Sequence, residues 1–139
     1  MKKFFAILLV GLSLNTYAQQ SVDSLQLKRN LSIVLGTEAV MYASSMTGLY
    51  YLWYANYPQS SFHFHNDNAE WLQMDKVGHA TTAYHVGMLG YEALRLAGWD
   101  EKNSLLYGGP IGFVFLITIE VFDGLSDGWG FSWGDMAAN

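Results

Sequence analysis

Three long apolar stretches, separated by polar loops, follow the first 30 residues of the chain. The first, 31–57, carries a single charge, Glu38, and Pro58 follows it. The second, 71–98, is more amphipathic, and the third, 105–125, is nearly all apolar in its second half. No alternation of apolar and polar residues is long enough to predict a strand. The pattern therefore predicts an all-α fold, a small bundle of three to four apolar helices.

Capping and helix-breaking residues mark the predicted ends of these helices. Gly98 is a stop signal for the second stretch. Asn103 and Ser104 are candidate N-caps for the third stretch, which the Gly-Gly-Pro sequence at 108–110 interrupts. We expect the glycine-rich tail to turn and then to start a further helix at Asp135.

The N-terminal segment has the pattern of a secretory signal peptide. Lys2 and Lys3 form a positive region, an apolar stretch follows at 4–14, and Ala18 stands at a small-residue cleavage site. The alternative is an uncleaved membrane anchor, but a spanning helix needs about 20 residues. The expected organisation is a signal peptide at 1–18, a polar leader at 19–30 and a single helical domain at 31–139, incomplete at its C-terminus.

The apolar stretches leave two relationships to the membrane open. The first is long enough to span a bilayer, and the aromatic residues at its far end match an interfacial belt, although a buried core helix can end the same way. The other two stretches carry ionisable groups within them or near an end. The bundle is therefore either membrane-embedded or membrane-associated, as a periplasmic bundle resting on the bilayer.

The amino-acid composition excludes several kinds of site and partner. The 139 residues contain no cysteine, which excludes disulfides, thiolate metal sites, a thiol nucleophile and a cysteine for lipid attachment. Seven basic residues against twelve acidic ones give a formal net charge of −5, so a nucleic-acid partner is not expected. Only 14% of the residues are charged, against about 25% in typical soluble domains. Little of the surface can therefore be covered by charge.

Two groups of ionisable residues recur at helical spacing. Asp75 and His79 lie one helical turn apart, with Lys76 beside them. A carboxylate next to an imidazole can serve in proton transfer or metal binding. The alternative is a simple side-chain pair at the start of a helix. Glu120 and Asp123 end the most apolar stretch, where burial requires a partner. Lys76 or His79 is the cation that we expect to pair with these carboxylates. The alternative is that this helix end is exposed and the carboxylates are solvated.

Asp135 and Asn139 form a third group, again one turn apart. A simpler interpretation is that Ser132 or Asp135 is an N-cap for the last helix.

A further candidate lies in the polar loop before the second stretch. His63 and His65 share one face of an extended segment and, with Asp67, could bind a divalent metal ion. A solvated loop with incidental histidines is the alternative. We predict no cofactor from this pattern.

Taken together, these residues carry a family resemblance. The order Trp71, Asp75-Lys76-x-x-His79, Glu120-x-x-Asp123 and Gly130-Phe131-Ser132-x-x-Asp135-x-x-x-Asn139 resembles the YfiM-like family of predicted periplasmic lipoproteins, whose function is unknown. It is more distantly similar to VanZ-like membrane proteins. The resemblance covers 71–139 and implies one polar site, but no reaction. The lipoprotein cysteine is absent, and the similar proteins continue into another apolar helix, hence the expectation of an incomplete C-terminus.

Two main functions are compatible with these observations. The first is an exported cell-envelope protein with a structural or binding role, whose partner is a membrane lipid, a glycan precursor or another envelope protein. The alternative is an envelope hydrolase acting on a phosphate- or glycan-bearing lipid, with Asp75 and His79 as the acid/base pair and Glu120 or Asp123 binding a metal ion or orienting substrate. A transporter or proton-path component is a third hypothesis. The sequence favours a non-enzymatic role and leaves the oligomeric state open.

Overall fold

The computed structural model describes residues 23–69 and 71–139, and in these ranges it is mostly helical and without strands. The all-α prediction is confirmed. The expected signal peptide, 1–18, lies outside the described residues. The elements in chain order are α1 (Ser24–Leu49), a π-helical turn (Tyr50–Tyr54), a 3-10 turn (Trp71–Gln73), α2 (Met74–Ala97), α3 (Glu101–Gly108), α4 (Ile111–Gly124) and α5 (Trp133–Ala138).

Helix α1 begins seven residues before the first apolar stretch. The apolar pattern starts at Leu31, but the helix begins at Ser24 and includes Lys28 and Arg29. Both basic residues have high helix propensity, so they extend the helix without contributing to its apolar pattern. Much of the polar leader is therefore helical.

The helix ends agree with the prediction at two points and differ at a third. Gly98 ends α2 with a φ of 103°, and the break at 108–110 separates α3 from α4 as expected. The predicted caps of α3, Asn103 and Ser104, are wrong because both lie inside the helix. Asp100 is the N-cap, and its Oδ1 accepts a hydrogen bond from the Asn103 amide at 3.0 Å.

Helix α2 lies at the centre of the bundle and packs against α1, α3, α4 and α5. Its contacts with α3 and α4 are backbone to backbone. A Cβ placed on Gly112 would lie 2.0 Å from the carbonyl oxygen of Ala83, and one on Gly87 would lie 2.5 Å from that of Gly109. These glycines therefore set how closely the helices approach.

Helix α1 runs antiparallel to α2 and is held at a few points. Asn30 Nδ2 donates to the carbonyl oxygen of Ala97 at 3.1 Å, which joins the start of α1 to the end of α2. The Tyr42 ring packs edge-on against Phe115 of α4. Met46 is the one buried residue of α1.

The outer surfaces of the long helices are apolar. Among the described residues, one helical stretch, Glu101–Gly124, is long and apolar enough to cross a membrane. Core helices of soluble proteins can have the same length and composition. About a fifth of the most apolar part of this stretch is buried. Large apolar side chains that are more than half exposed include Ile33, Val40, Met41, Val77, Tyr84, Leu89, Leu96, Leu105 and Leu106.

The loop after α1 and the chain after α4 run together across one end of the bundle. Isolated bridges join Gln59 to Ser126 and Phe64 to Phe131. The His63 carbonyl accepts from the Phe131 amide at 3.0 Å. This pairing brings the polar loop and the C-terminal segment to the start of α2 and the end of α4.

Candidate functional site

A cluster of polar side chains fills the space between these four segments. Its central cation is Lys76, whose Nζ lies 2.9 Å from Asp67 Oδ1 and 3.1 Å from Asp135 Oδ1. All three side chains are largely buried. Lys76 thus joins the first turn of α2 to the polar loop and to α5.

The two carboxylates on Lys76 have opposite pKa shifts. Burial raises the pKa of Asp135, and a hydrogen bond shared with Asp67 raises it further. Burial acts in the same direction on Asp67, but hydrogen bonds from Ser132, Asp135 and Lys76 outweigh it and lower its pKa to about 2. Of the two carboxylates, Asp135 is therefore the one whose protonated form the fold favours.

Ser132 connects the Lys76 pair to the rest of the cluster. Its Oγ donates to Asp67 Oδ1 at 2.6 Å and accepts from the amides of Gly134 and Asp135 at 3.1 and 3.2 Å. Ser132 is therefore the N-cap of α5, one of the two caps that the sequence indicates. The predicted helix start at Asp135 is two residues too late, since α5 begins at Trp133.

Glu120 is the most deeply buried carboxylate of the cluster, with 1% of its surface exposed. Its Oε2 accepts from the Ser132 amide at 2.9 Å, and its Oε1 lies 3.7 Å from His79 Nε2. Burial raises its pKa to about 7, and the nearby Asp123 and Asp135 carboxylates add to the shift. Of the two residues considered as partners of Glu120, Lys76 and His79, it is His79 that lies beside it.

His79 lies between α4 and the end of α5. Its Nδ1 forms a 2.8 Å hydrogen bond with Asn139 Oδ1, and its Nε2 is 3.9 Å from Asp75 Oδ1. Asp75 is half exposed, so this side of the cluster faces solvent.

Asp123 has a partner that the sequence does not suggest. The Tyr54 hydroxyl donates to its Oδ1 at 2.7 Å, where Lys76 or His79 was the expected partner. Lys76 is bound to Asp67 and Asp135, and His79 contacts Glu120, so the direct hydrogen-bond partner of Asp123 is Tyr54. The sequence does not predict this role for Tyr54, because the residue stands among several aromatic residues that match an interfacial belt.

The raised pKa of Asp123 should make the free energy of unfolding depend on pH. Burial raises its pKa from 3.8 to about 6, against the opposing effect of the Tyr54 hydrogen bond. A raised pKa means that the fold favours the protonated carboxyl, so this stabilisation is complete below about pH 4 and is lost as pH rises through about 6. Asp123→Asn keeps an acceptor for Tyr54 and should raise stability above pH 6 by up to about 3 kcal/mol. Urea unfolding of both proteins across this pH range measures the effect. A difference in the free energy of unfolding between the two proteins that stays the same at every pH would contradict it.

The loop residues predicted to bind metal are arranged differently from that prediction. His63 Nε2 bonds to the carbonyl oxygen of Trp129 at 2.8 Å, and Asp67 binds Lys76. Within the described ranges, the three ligand atoms that lie within 4.8 Å of one another belong to Asp75, His79 and Asp135. The structure therefore brings Asp67 to the cluster without His63 and His65.

The structure brings together the residues predicted to form one polar site, and two residues that the sequence indicates for other roles join them. Asp75, Lys76, His79, Glu120, Asp135 and Asn139 lie in one connected group, with Asp123 beside it on Tyr54. Asp67 and Ser132 complete the group. Ser132 belongs to the resemblance motif and is a candidate N-cap, which are the signals that point to it. The sequence places Asp67 with His63 and His65, and nothing local indicates its contact with Lys76.

Comparison with known proteins gives a family and no individual relative. No curated protein and no solved structure matches the chain. A family model described as predicted periplasmic lipoprotein (DUF2279) matches residues 63–139, more than half of the chain and the whole of α2 to α5. This agrees with the expected periplasmic lipoprotein family of unknown function and with an exported, envelope location; the YfiM-like and VanZ-like resemblances stay predictions. The chain belongs to the DUF2279 family of predicted periplasmic lipoproteins.

Proposed function

We propose that this protein is a non-enzymatic binding protein of the cell envelope, which attaches to a membrane through the apolar exterior of its helices. In this proposal the polar cluster has a structural role, since it holds the loop and the C-terminal segment on the end of the bundle. The apolar exterior of α1 to α4 is the observation that carries the proposal.

The internal pairing of the cluster supports its structural role. Lys76 is shared by two carboxylates, Ser132 bonds in four directions, and Glu120 accepts from a backbone amide. None of these three residues lines the cavity of about 120 Å³ beside Tyr54 or the cavity of about 280 Å³ beside Tyr84. A polar group that is paired internally in this way fits a structural role better than catalysis.

The exposed hydroxyls of α1 are suited to an apolar environment. Ser32, Thr37, Ser44 and Thr47 each donate to the carbonyl oxygen four residues earlier, at 2.7–2.9 Å. A hydroxyl bonded in this way needs no water, as in helices that contact lipid. These four hydroxyls therefore do not oppose contact between this helix and a membrane.

The aromatic residues after α1 support the same attachment. Tyr51, Trp53 and Tyr57 are exposed at the end where α1 meets the polar loop. Tyrosine and tryptophan favour the boundary between acyl chains and water. This end would therefore lie at the membrane surface, with the polar cluster on its aqueous side.

Membrane fractionation tests the proposal. The exported protein should sediment with membranes and resist washing with high salt, because apolar contacts are not screened by ions. Replacing two exposed apolar residues, Val40→Glu with Leu89→Glu, should shift it to the soluble fraction. Asn66→Glu, in the exposed loop, is the control and should stay with the membranes.

The washes also show how deeply the protein is bound. Resistance to alkaline carbonate would mean that the helices lie within the bilayer, and release by carbonate alone would mean surface attachment. Release of the unmodified protein by salt alone would contradict the proposal, as would equal behaviour of the double variant and the control.

One observation favours the hydrolase alternative. Asp75 is half exposed and lies beside His79, so solvent can reach this pair. Hydrolysis of a phosphate- or glycan-bearing lipid that is lost in both Asp75→Asn and His79→Ala would support this second function.

A further inference from the structure

A set of metal-ligand atoms lies at the junction of α2 and α5. The imidazole of His79 and the carboxylates of Asp75 and Asp135 each offer one atom, and the three atoms lie within 4.8 Å of one another. The set combines one nitrogen with two carboxylate oxygens, a combination that suits Zn²⁺ and related divalent ions.

The hydrogen bond from His79 to Asn139 determines which nitrogen of His79 faces this set. An amide oxygen only accepts, so the proton of the neutral ring lies on Nδ1, which is 2.8 Å from Asn139 Oδ1. The lone pair is then on Nε2, on the side of Asp75 and Glu120. Histidine ligands of metal ions are commonly oriented by such a hydrogen bond on the other nitrogen.

Glu120 lies beside this set. Its side chain is 99% buried, and Oε1 lies 3.7 Å from His79 Nε2, beyond hydrogen-bond distance. Its carboxyl group is therefore close enough to act electrostatically on an ion bound at Nε2, without belonging to the ligand set.

The spacing of these atoms fits an ion of this size. Zinc bonds of about 2.1 Å place tetrahedral ligand atoms roughly 3.4 Å apart. His79 Nε2 lies 3.9 Å from Asp75 Oδ1, and the ligand atom of Asp135 lies within 4.8 Å of both residues' ligand atoms. A small movement of Asp75, which is half exposed, closes the remaining distance and leaves a route for the ion from solvent.

We propose that His79 Nε2, Asp75 and Asp135 bind one divalent ion of the Zn²⁺ class, with solvent at the remaining position. Lys76 also contacts Asp135, at Oδ1, so this carboxylate is shared between the lysine and the ion. The ion joins the start of α2 to α5. This site goes beyond the proposed membrane attachment and does not depend on it.

Zinc titration of the full-length protein, purified in detergent and stripped with EDTA, tests the site. We expect one Zn²⁺ per chain and a melting temperature that rises with free Zn²⁺ concentration, because the ion binds the folded state. His79→Ala and Asp75→Asn should each abolish binding. Asp75→Asn changes a half-exposed side chain, so loss of binding in this variant does not arise from misfolding.

Two further variants make the result specific. His85→Ala removes an exposed histidine from the same helix and should bind as the unmodified protein does. Asn139→Ala should weaken binding about 10-fold, since it removes the group that orients His79. Absence of binding to the unmodified protein would overturn the proposal. So would binding that persists in both His79→Ala and Asp75→Asn, since it would belong to other histidines.

Discussion

Lys76→Ala should lower the free energy of unfolding by about 3–5 kcal/mol, the usual cost of leaving buried charges without their partner. The substitution leaves Asp67 and Asp135 next to each other, largely buried and without a cation. Thermal and urea unfolding of the purified protein measure the loss. The C-terminal segment and the polar loop should also become more susceptible to proteolysis, because Lys76 holds both.

Lys102→Ala is the matched control for this experiment. Lys102 lies on α3 and is exposed, and surface substitutions of this kind usually change stability by less than about 0.5 kcal/mol. Equal losses in the two lysine variants would show that Lys76 does not hold the cluster together.

The second large effect is expected from Gly112→Ala. The added methyl carbon would lie 2.0 Å from the carbonyl oxygen of Ala83, so α4 must move away from α2 along its length. Overpacking of this kind costs about 1–3 kcal/mol, and we expect the upper end because the clash is with backbone. A decreased melting temperature measures the effect.

Gly78→Ala is the control for the glycine substitution. A Cβ on Gly78 meets nothing within 4 Å, although this residue also lies in a helix of the same contact. Alanine should therefore stabilise the protein by about 0.5–1 kcal/mol, through the smaller entropy of the unfolded chain. Destabilisation of similar size in both variants would mean that helix contact is not set by Gly112.

The parts of the fold that could be predicted are those that depend on local sequence. Apolar stretches predict the long helices, and Gly98 and the Gly-Gly-Pro break predict where two of them end. The spacing of Asp75 and His79 places them on one face of α2. Each of these signals acts over one or two turns, so a single segment contains it all.

The parts that could not be predicted depend on contacts between distant segments. Asp67 lies in a loop with no periodicity, and its position follows from pairing of that loop with the chain around Phe131. Tyr54 meets Asp123 only because α1 and α4 lie side by side. The close approach of Gly87 to Gly109 likewise cannot be predicted from either segment alone, because it depends on how the two segments pack.

The weak anchoring of α1 has a consequence for the dynamics of the molecule. This helix buries one side chain, Met46, over 26 residues, whereas α2 is enclosed by four other elements. Segments with few buried contacts open at a lower free energy than the global unfolding transition, as cooperative units. The amides of α1 should therefore exchange with solvent through detachment of the whole helix while α2 stays protected. In that transient state the side of α4 around Phe115, which Tyr42 otherwise covers, becomes accessible to solvent.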